Sequence, residues 1–274
     1  MNGILIRIFA FALFVLPTAD VLSQSAGTGS GRATALNDLT GYWISVVNED
    51  WRLRMIVPDP RDYLTLPLNL QGSKAADAWD PAKDVAAGEQ CKSYGAPAIM
   101  RVPGRLHIYW QDDNTLRIDT DSGTQTRLLH FDGAPPPTTT RGWQGYSSAS
   151  WVGQKPLSTA GAGRPPSQGT LPGRQSAQDR RQDVDPGQGQ LRVVTTRLRP
   201  GYLRKNGVPY SAEATLEEYF DRFTAPNGDT WLNVTIIVTD PQYLVEPYIT
   251  NAHFKKIPDR AGWDPTSCRV DQPR

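Results

Sequence analysis

The clearest pattern in the chain is a strict alternation. In Trp231–Thr239 (WLNVTIIVT), Leu232, Val234, Ile236 and Val238 fall on one face, and Trp231, Asn233, Thr235 and Ile237 on the other. A period of two marks a strand with one face against a core. The runs Thr215–Thr224 and Pro247–Ile257 flank it and share its β-branched and aromatic content, which suits a pleated, half-buried surface. Asn227-Gly228-Asp229 and Asp240-Pro241 separate the three runs with residues that tolerate or impose turn dihedrals. The C-terminal third is therefore expected to be an antiparallel meander whose apolar face needs a cover.

The same grammar extends upstream. Strands are predicted at Gly41–Glu49, Trp51–Val57, Ala98–Val102, Arg105–Gln111, Thr115–Thr120, Thr124–Phe131, Gly145–Val152 and Leu191–Leu198, broken by hairpin-scale turn signals. Gly72–Asp80 is the best helix, with Ser73 as its cap and Pro81 as its stop. A second helical turn is predicted over Asp84–Lys92. Gly153–Gln190 has no aromatic residue and is dense in Gly, Pro, Gln, Ser and Arg, so it is expected to be a disordered insertion between two strands. About ten short strands with one or two short helices predict a single all-β domain over residues 36–258. Consecutive hairpins favour an antiparallel up-and-down barrel or strongly curled sheet, since closure removes exposed edges. A two-sheet sandwich is the runner-up.

Composition then sets an address. Arg7 precedes a short apolar run, Ile8–Leu16, and small residues follow at Thr18, Ala19, Ser23 and Ser25. This is the form of a secretory signal peptide, expected over residues 1–25 with cleavage between Ala19 and Ala26; a buried helix or uncleaved anchor is the alternative. The mature protein is then secreted or periplasmic, with no transmembrane segment. Export changes the meaning of the only two cysteines, Cys91 and Cys268. A bond between them would close a very long loop, stabilising by about 4–5 kcal/mol in the chain-entropy model, and would pin the tail at residues 259–274. The alternative is two unpaired thiols. The bond is favoured because nothing else in the sequence holds that tail down.

A net charge of +1 among 274 residues, 21% of them charged, lacks the basic stripe that nucleic-acid binding requires. It also offers no polybasic membrane patch.

The motifs Gly88-Glu89-Gln90-Cys91, Gly95-Ala96-Pro97, Gly145-Tyr146-Ser147 with Trp151, Val208-Pro209-Tyr210-Ser211 and Glu218-Tyr219-Phe220 occur in an order that resembles a large family of uncharacterised secreted bacterial proteins. Gly41-Tyr42-Trp43 is similar to the Gly-x-Trp start of lipocalin-like domains. The resemblance implies a lipocalin/calycin-like barrel and an exported location, and no settled activity. The chain departs from the family where Tyr146 and Tyr210 stand in place of histidines and Tyr219 in place of an arginine, which removes a transferred histidine mechanism.

Candidate chemistry is sparse. His107, His130 and His253 each fall in a predicted strand, far apart and without metal-ligand spacing, so no metal or cofactor is expected. Glu218 shares strand phase with Leu216 and Phe220. It is either an acid/base raised by desolvation, with His130, Tyr210 or Arg127 nearby, or a buried structural partner of Arg127 or Tyr210. Trp43, Trp110, Trp151, Tyr146, His107 and His253 are the candidate ligand-binding residues, since aromatics lining a barrel suit a flat or greasy molecule; ordinary core packing is the competing role. The expected function is binding of a small apolar or aromatic molecule in the barrel interior. The alternatives are a cofactor-independent isomerase, lyase or hydrolase using Glu218, and a cell-envelope interaction module. The oligomeric state is left open.

Overall fold

The structure, a computed structural model, describes residues 29–137, 140–153 and 189–274. The predicted signal peptide lies outside the described residues. So does most of the predicted insertion, whose two ends, Gly153 and Gly189-Gln190, belong to paired strands.

In chain order the elements are β1 (Gly41–Val46), α1 (Trp51–Met55), α2 (Leu70–Asp77), α3 (Pro81–Ala86), a 3-10 turn (Gln90–Tyr94), α4 (Ala96–Ile99), β2 (Arg105–Trp110), β3 (Thr115–Thr120), β4 (Thr126–His130), β5 (Tyr146–Gly153), β6 (Gly189–Thr196), β7 (Gly201–Tyr202), β8 (Pro209–Tyr210), β9 (Thr215–Thr224), β10 (Thr230–Thr239) and β11 (Tyr248–Ile257). Nine strands close into a barrel in the order β1-β11-β10-β9-β6-β5-β4-β3-β2, and β7-β8 form a separate ribbon. The expected all-β barrel is thus the observed fold. Its pairs are antiparallel except β4–β5, which run parallel with Leu129 opposite Ser147. The link between those two strands passes Trp143 against α4, where the Ala96 amide donates to the Trp143 carbonyl at 2.9 Å.

The register follows the alternation. Leu232, Val234, Ile236 and Val238 of β10 point inward with essentially no exposure, beside Leu216 and Phe220 of β9 and Ala252 and Phe254 of β11. A one-residue slip would turn all of them to solvent, so the pattern specifies the pairing.

Several local expectations are corrected. Trp51–Val57 is not a strand: it begins with helix α1, which opens on Asp50 at φ 48°. Ala98–Val102 is not a strand either. Helix α4 occupies Ala96–Ile99, with Pro97 in its first turn, where the missing N–H costs nothing. The first long helix is capped by Asn69, whose side chain accepts from the Gly72 amide at 2.8 Å, and not by Ser73. Over Asp84–Lys92 there are instead the end of α3, capped by Asp80, and the start of the 3-10 turn. Strand β4 starts at Thr126, after a 3-10 turn in which Gly123 takes φ 73°, a left-handed angle that suits glycine.

The two barrel ends are closed differently. At one, residues 29–40 lie over Trp110, Phe131 and Trp151. Gly31 presses so close that a Cβ there would sit 2.3 Å from the Phe131 ring. At the other end lie the short helices, the β7-β8 ribbon and the returning tail. Cys91 and Cys268 form a disulfide, with Cα atoms 5.1 Å apart. Around it, Thr124 donates to the Thr266 carbonyl at 2.8 Å and the Arg269 amide donates to Tyr94 Oη at 3.1 Å.

Candidate functional site

Strands β4 and β9 place Arg127 and Glu218 inside the barrel, both side chains with no solvent exposure. Arg127 Nη1 donates to Glu218 Oε1 at 2.9 Å, and Nη2 to Oε2 at 2.5 Å. Nη2 also reaches Thr195 Oγ1 at 3.4 Å, which pairs with Ser147 at 2.8 Å. Both carboxylate oxygens are therefore taken by one guanidinium in a bidentate fork. Around the pair, Leu129, Leu191, Val193, Leu216, Phe220 and Val234 are fully buried and belong to one continuous hydrophobic cluster. Of the two roles open to Glu218, this geometry is that of the structural partner.

The other predicted acid/base residues do not join the pair. His130 stacks on Tyr146 at 4.6 Å between centroids. Both lie half-buried on the strand phase opposite to Arg127 and Ser147, respectively. Tyr210 sits on β8, outside the barrel sheet. Its ring is fully buried against Gly95 and Gly201, and burial raises its hydroxyl well above the ordinary tyrosine range.

The candidate ligand-binding residues do not converge on one place. Trp43 is fully buried in the core, its indole N–H donating to the Leu39 carbonyl at 3.0 Å. Trp110 and Trp151 meet through Phe131, at 5.3 and 6.0 Å between centroids, beneath residues 29–40. Trp151 Nε1 donates to the Gly31 carbonyl at 3.0 Å. His107 stacks between Tyr42 (4.1 Å) and Tyr109 (4.5 Å), and burial lowers its pKa. His253 Nδ1 lies 2.8 Å from Glu49. Among the described residues no cluster of three or more His, Cys, Asp or Glu side chains is arranged to hold a metal.

A groove outside the barrel is the better ligand geometry. It lies between α1 and the β1–β2 edge, with a volume of about 540 Å³. Its apolar walls are Ile44, Val47, Trp51, Met55 and Pro103, and Arg105 and Arg274 also line it. Trp51 and Met55 are one helical turn apart, so they share a face of α1, and they are 60% and 50% exposed. Arg105 and Arg274 both pair with the fully buried Asp121, at 3.8 and 3.2 Å. Sequence reasoning placed Trp51 and Met55 only within the predicted strand Trp51–Val57 and gave neither a ligand role. The usable signal was the i,i+4 spacing of two large apolar residues around Arg52 and Arg54, which fits a helix turn as well as a strand.

No protein-family model, curated protein or solved structure matches this chain.

Proposed function

We propose that this chain is an exported, lipocalin-like barrel protein that binds a small apolar or aromatic molecule, held in the groove between α1 and the β1–β2 edge. The observation that carries the reading is the pair of large apolar side chains, Trp51 and Met55, left mostly in water on the wall of a concave site of ligand size. The barrel centre, the other expected place for the ligand, carries the fully buried Arg127–Glu218 pair among buried aliphatic side chains, whereas the groove walls stand open to solvent, which favours the groove. The disulfide fits an oxidising compartment. Among the described residues no helix is long and apolar enough to cross a membrane.

Titration with an uncharged aromatic probe such as N-phenyl-1-naphthylamine tests the reading. Saturable binding is expected, weakened about tenfold or more by Trp51→Ala with Met55→Ala, since each buried side chain supplies a kcal/mol or two. Absence of saturable binding overturns the reading. Binding that survives the double variant but is lost in Ala149→Phe, which fills the barrel instead, moves the ligand back to the centre.

A further inference from the structure

On the other face of α1 lies a second, smaller pocket, of about 40 Å³. Its chemistry is unlike that of the groove. Four cationic side chains line it: Arg54, Arg101, Arg204 and Lys205. Each is buried, with 5 to 8% exposure. Two have carboxylate partners: Arg54 with Glu49, and Arg101 with Asp50 at 2.8 Å. Arg204 and Lys205 have none within ion-pair distance among the described residues. Arg204 donates to the Leu64 carbonyl at 2.7 Å and to Thr65 Oγ1 at 2.8 Å. Lys205 donates to Tyr94 Oη and to the Gln272 carbonyl, both at 2.6 Å. With Lys205 protonated, the pocket thus carries two more positive charges than negative ones. In addition, Arg54 Nη2 and Arg204 Nε are buried with no hydrogen-bond partner among the described residues.

Burying a cation without a counter-charge is strongly unfavourable, and a buried N–H without an acceptor adds to that cost. Both deficits are met by one kind of ligand, which brings negative charge and several acceptor atoms into a small volume. We infer that this pocket is a binding site for a small oxyanion, a phosphate, sulfate or carboxylate group, held by Arg54, Arg204 and Lys205 and walled by the apolar side chains Leu53, Val57 and Leu203. The site is separate from the groove and does not depend on it. Arg54 and Arg204 supply fixed charge and forked donors, which match oxyanion geometry. Lys205 supplies a charge that the surroundings can remove. Burial lowers its pKa to about 7; nearby Asp271 raises it and Arg269 lowers it, while Tyr94 faces it as a hydrogen-bond partner and Arg54, Arg101 and Arg204 share its pocket. An anion beside Lys205 favours the protonated form, so binding takes up a proton above neutral pH, and affinity falls as pH rises.

The test is calorimetric titration of the intact, oxidised chain with sodium sulfate, phosphate or acetate, against chloride at matched ionic strength. The three oxyanions distinguish tetrahedral from carboxylate ligands. Saturable binding is expected for at least one of them and not for chloride, weakened about tenfold or more in Arg204→Gln, because hydrogen bonds to charged groups are the strong ones. For sulfate or acetate, which stay ionised throughout, affinity falls at least several-fold between about pH 6 and pH 9, with net proton uptake, and Lys205→Met abolishes that dependence. The proton measurement uses the unaltered protein, so it decides the matter even if Arg204→Gln misfolds through its lost contacts to Leu64 and Thr65. Equal responses to chloride and the oxyanions, or oxyanion binding without proton uptake and unchanged in a folded Lys205→Met, would overturn the inference.

Discussion

The barrel centre and the pocket beside α1 bury arginine to a similar depth and treat it in opposite ways. In the centre, Arg127 meets Glu218 through two parallel hydrogen bonds, charge matched one to one. In the pocket, Arg204 is 6% exposed and meets only neutral oxygens, and Lys205 sits alongside with no carboxylate at ion-pair distance among the described residues. In the matched pair the charges balance, so although Arg127 Nε, like Arg204 Nε, has no hydrogen-bond partner among the described residues, an incoming anion finds no net positive charge there. An unmatched cluster stores an unsatisfied electrostatic demand that an incoming anion relieves. Depth of burial alone therefore does not mark a site here; the balance of charge at that depth does.

The contrast can be broken most severely at the disulfide. It spans 177 residues, so its removal is expected to cost about 5 kcal/mol in the chain-entropy model. Urea unfolding of the oxidised chain and of Cys91→Ser with Cys268→Ser measures it. The tail it pins carries Gln272 and Pro273, which touch Lys205 and the pocket wall. Hydrogen exchange should accordingly accelerate around Tyr94 and Lys205 in the double variant and stay slow in β4 and β9.

Glu218→Ala turns the matched region into an unmatched one. It leaves Arg127 buried and unpaired and is expected to destabilise by about 3–5 kcal/mol, read from the same urea transitions. Replacing both partners, Arg127→Met with Glu218→Leu, should recover most of that loss, because an apolar pair fills the same space without leaving a buried charge unpaired.

Lys205 sharpens the comparison through pH. Burial depresses its folded-state pKa from the ordinary 10.5 to about 7, so the unfolded chain binds more protons between those values. Stability from this group should therefore rise as pH rises from about 7 towards 10 and be lowest below about 7, where the buried amine is charged. Thermal unfolding across that range should show the rise in the native chain. Lys205→Met should flatten it, and saturating sulfate should reduce it by restoring the charge's partner.

The smallest effect belongs to the groove. Trp51 is 60% exposed, so Trp51→Ala should change stability by no more than about 0.5 kcal/mol, while weakening binding of an uncharged aromatic probe. A large loss of stability would mean that Trp51 packs, and would remove the groove as a ligand site.

How far the sequence reveals this arrangement depends on whether the deciding interaction is local. Leu232, Val234, Ile236 and Val238 alternate because one face of β10 is buried, and Glu218 shares the inward phase of Leu216 and Phe220 for the same reason. Strand and facing were therefore legible, and the pairing of Glu218 with Arg127 was one of two readings on offer. Trp51–Val57 and Ala98–Val102 were not legible, because a short run rich in aliphatic residues fits either period, and only tertiary contacts choose. Helix α1 carries Arg54 inward to Glu49 and to the Arg101 carbonyl, which no pattern within the run announces. The pocket was invisible for a stronger reason. Arg204 and Lys205 occupy a loop between two short strands, where basic residues are normally solvated. Their burial is imposed by Leu64 and Thr65, by Tyr94 and by Gln272, all remote in sequence.

The most direct test of the claim that unmatched charge, not burial, marks the site is anomalous diffraction at the selenium edge from crystals grown with selenate. The account predicts a peak within hydrogen-bond reach of Arg54, Arg204 and Lys205 and none beside Arg127. A pocket without a peak, or a peak at the Arg127–Glu218 pair, would contradict it.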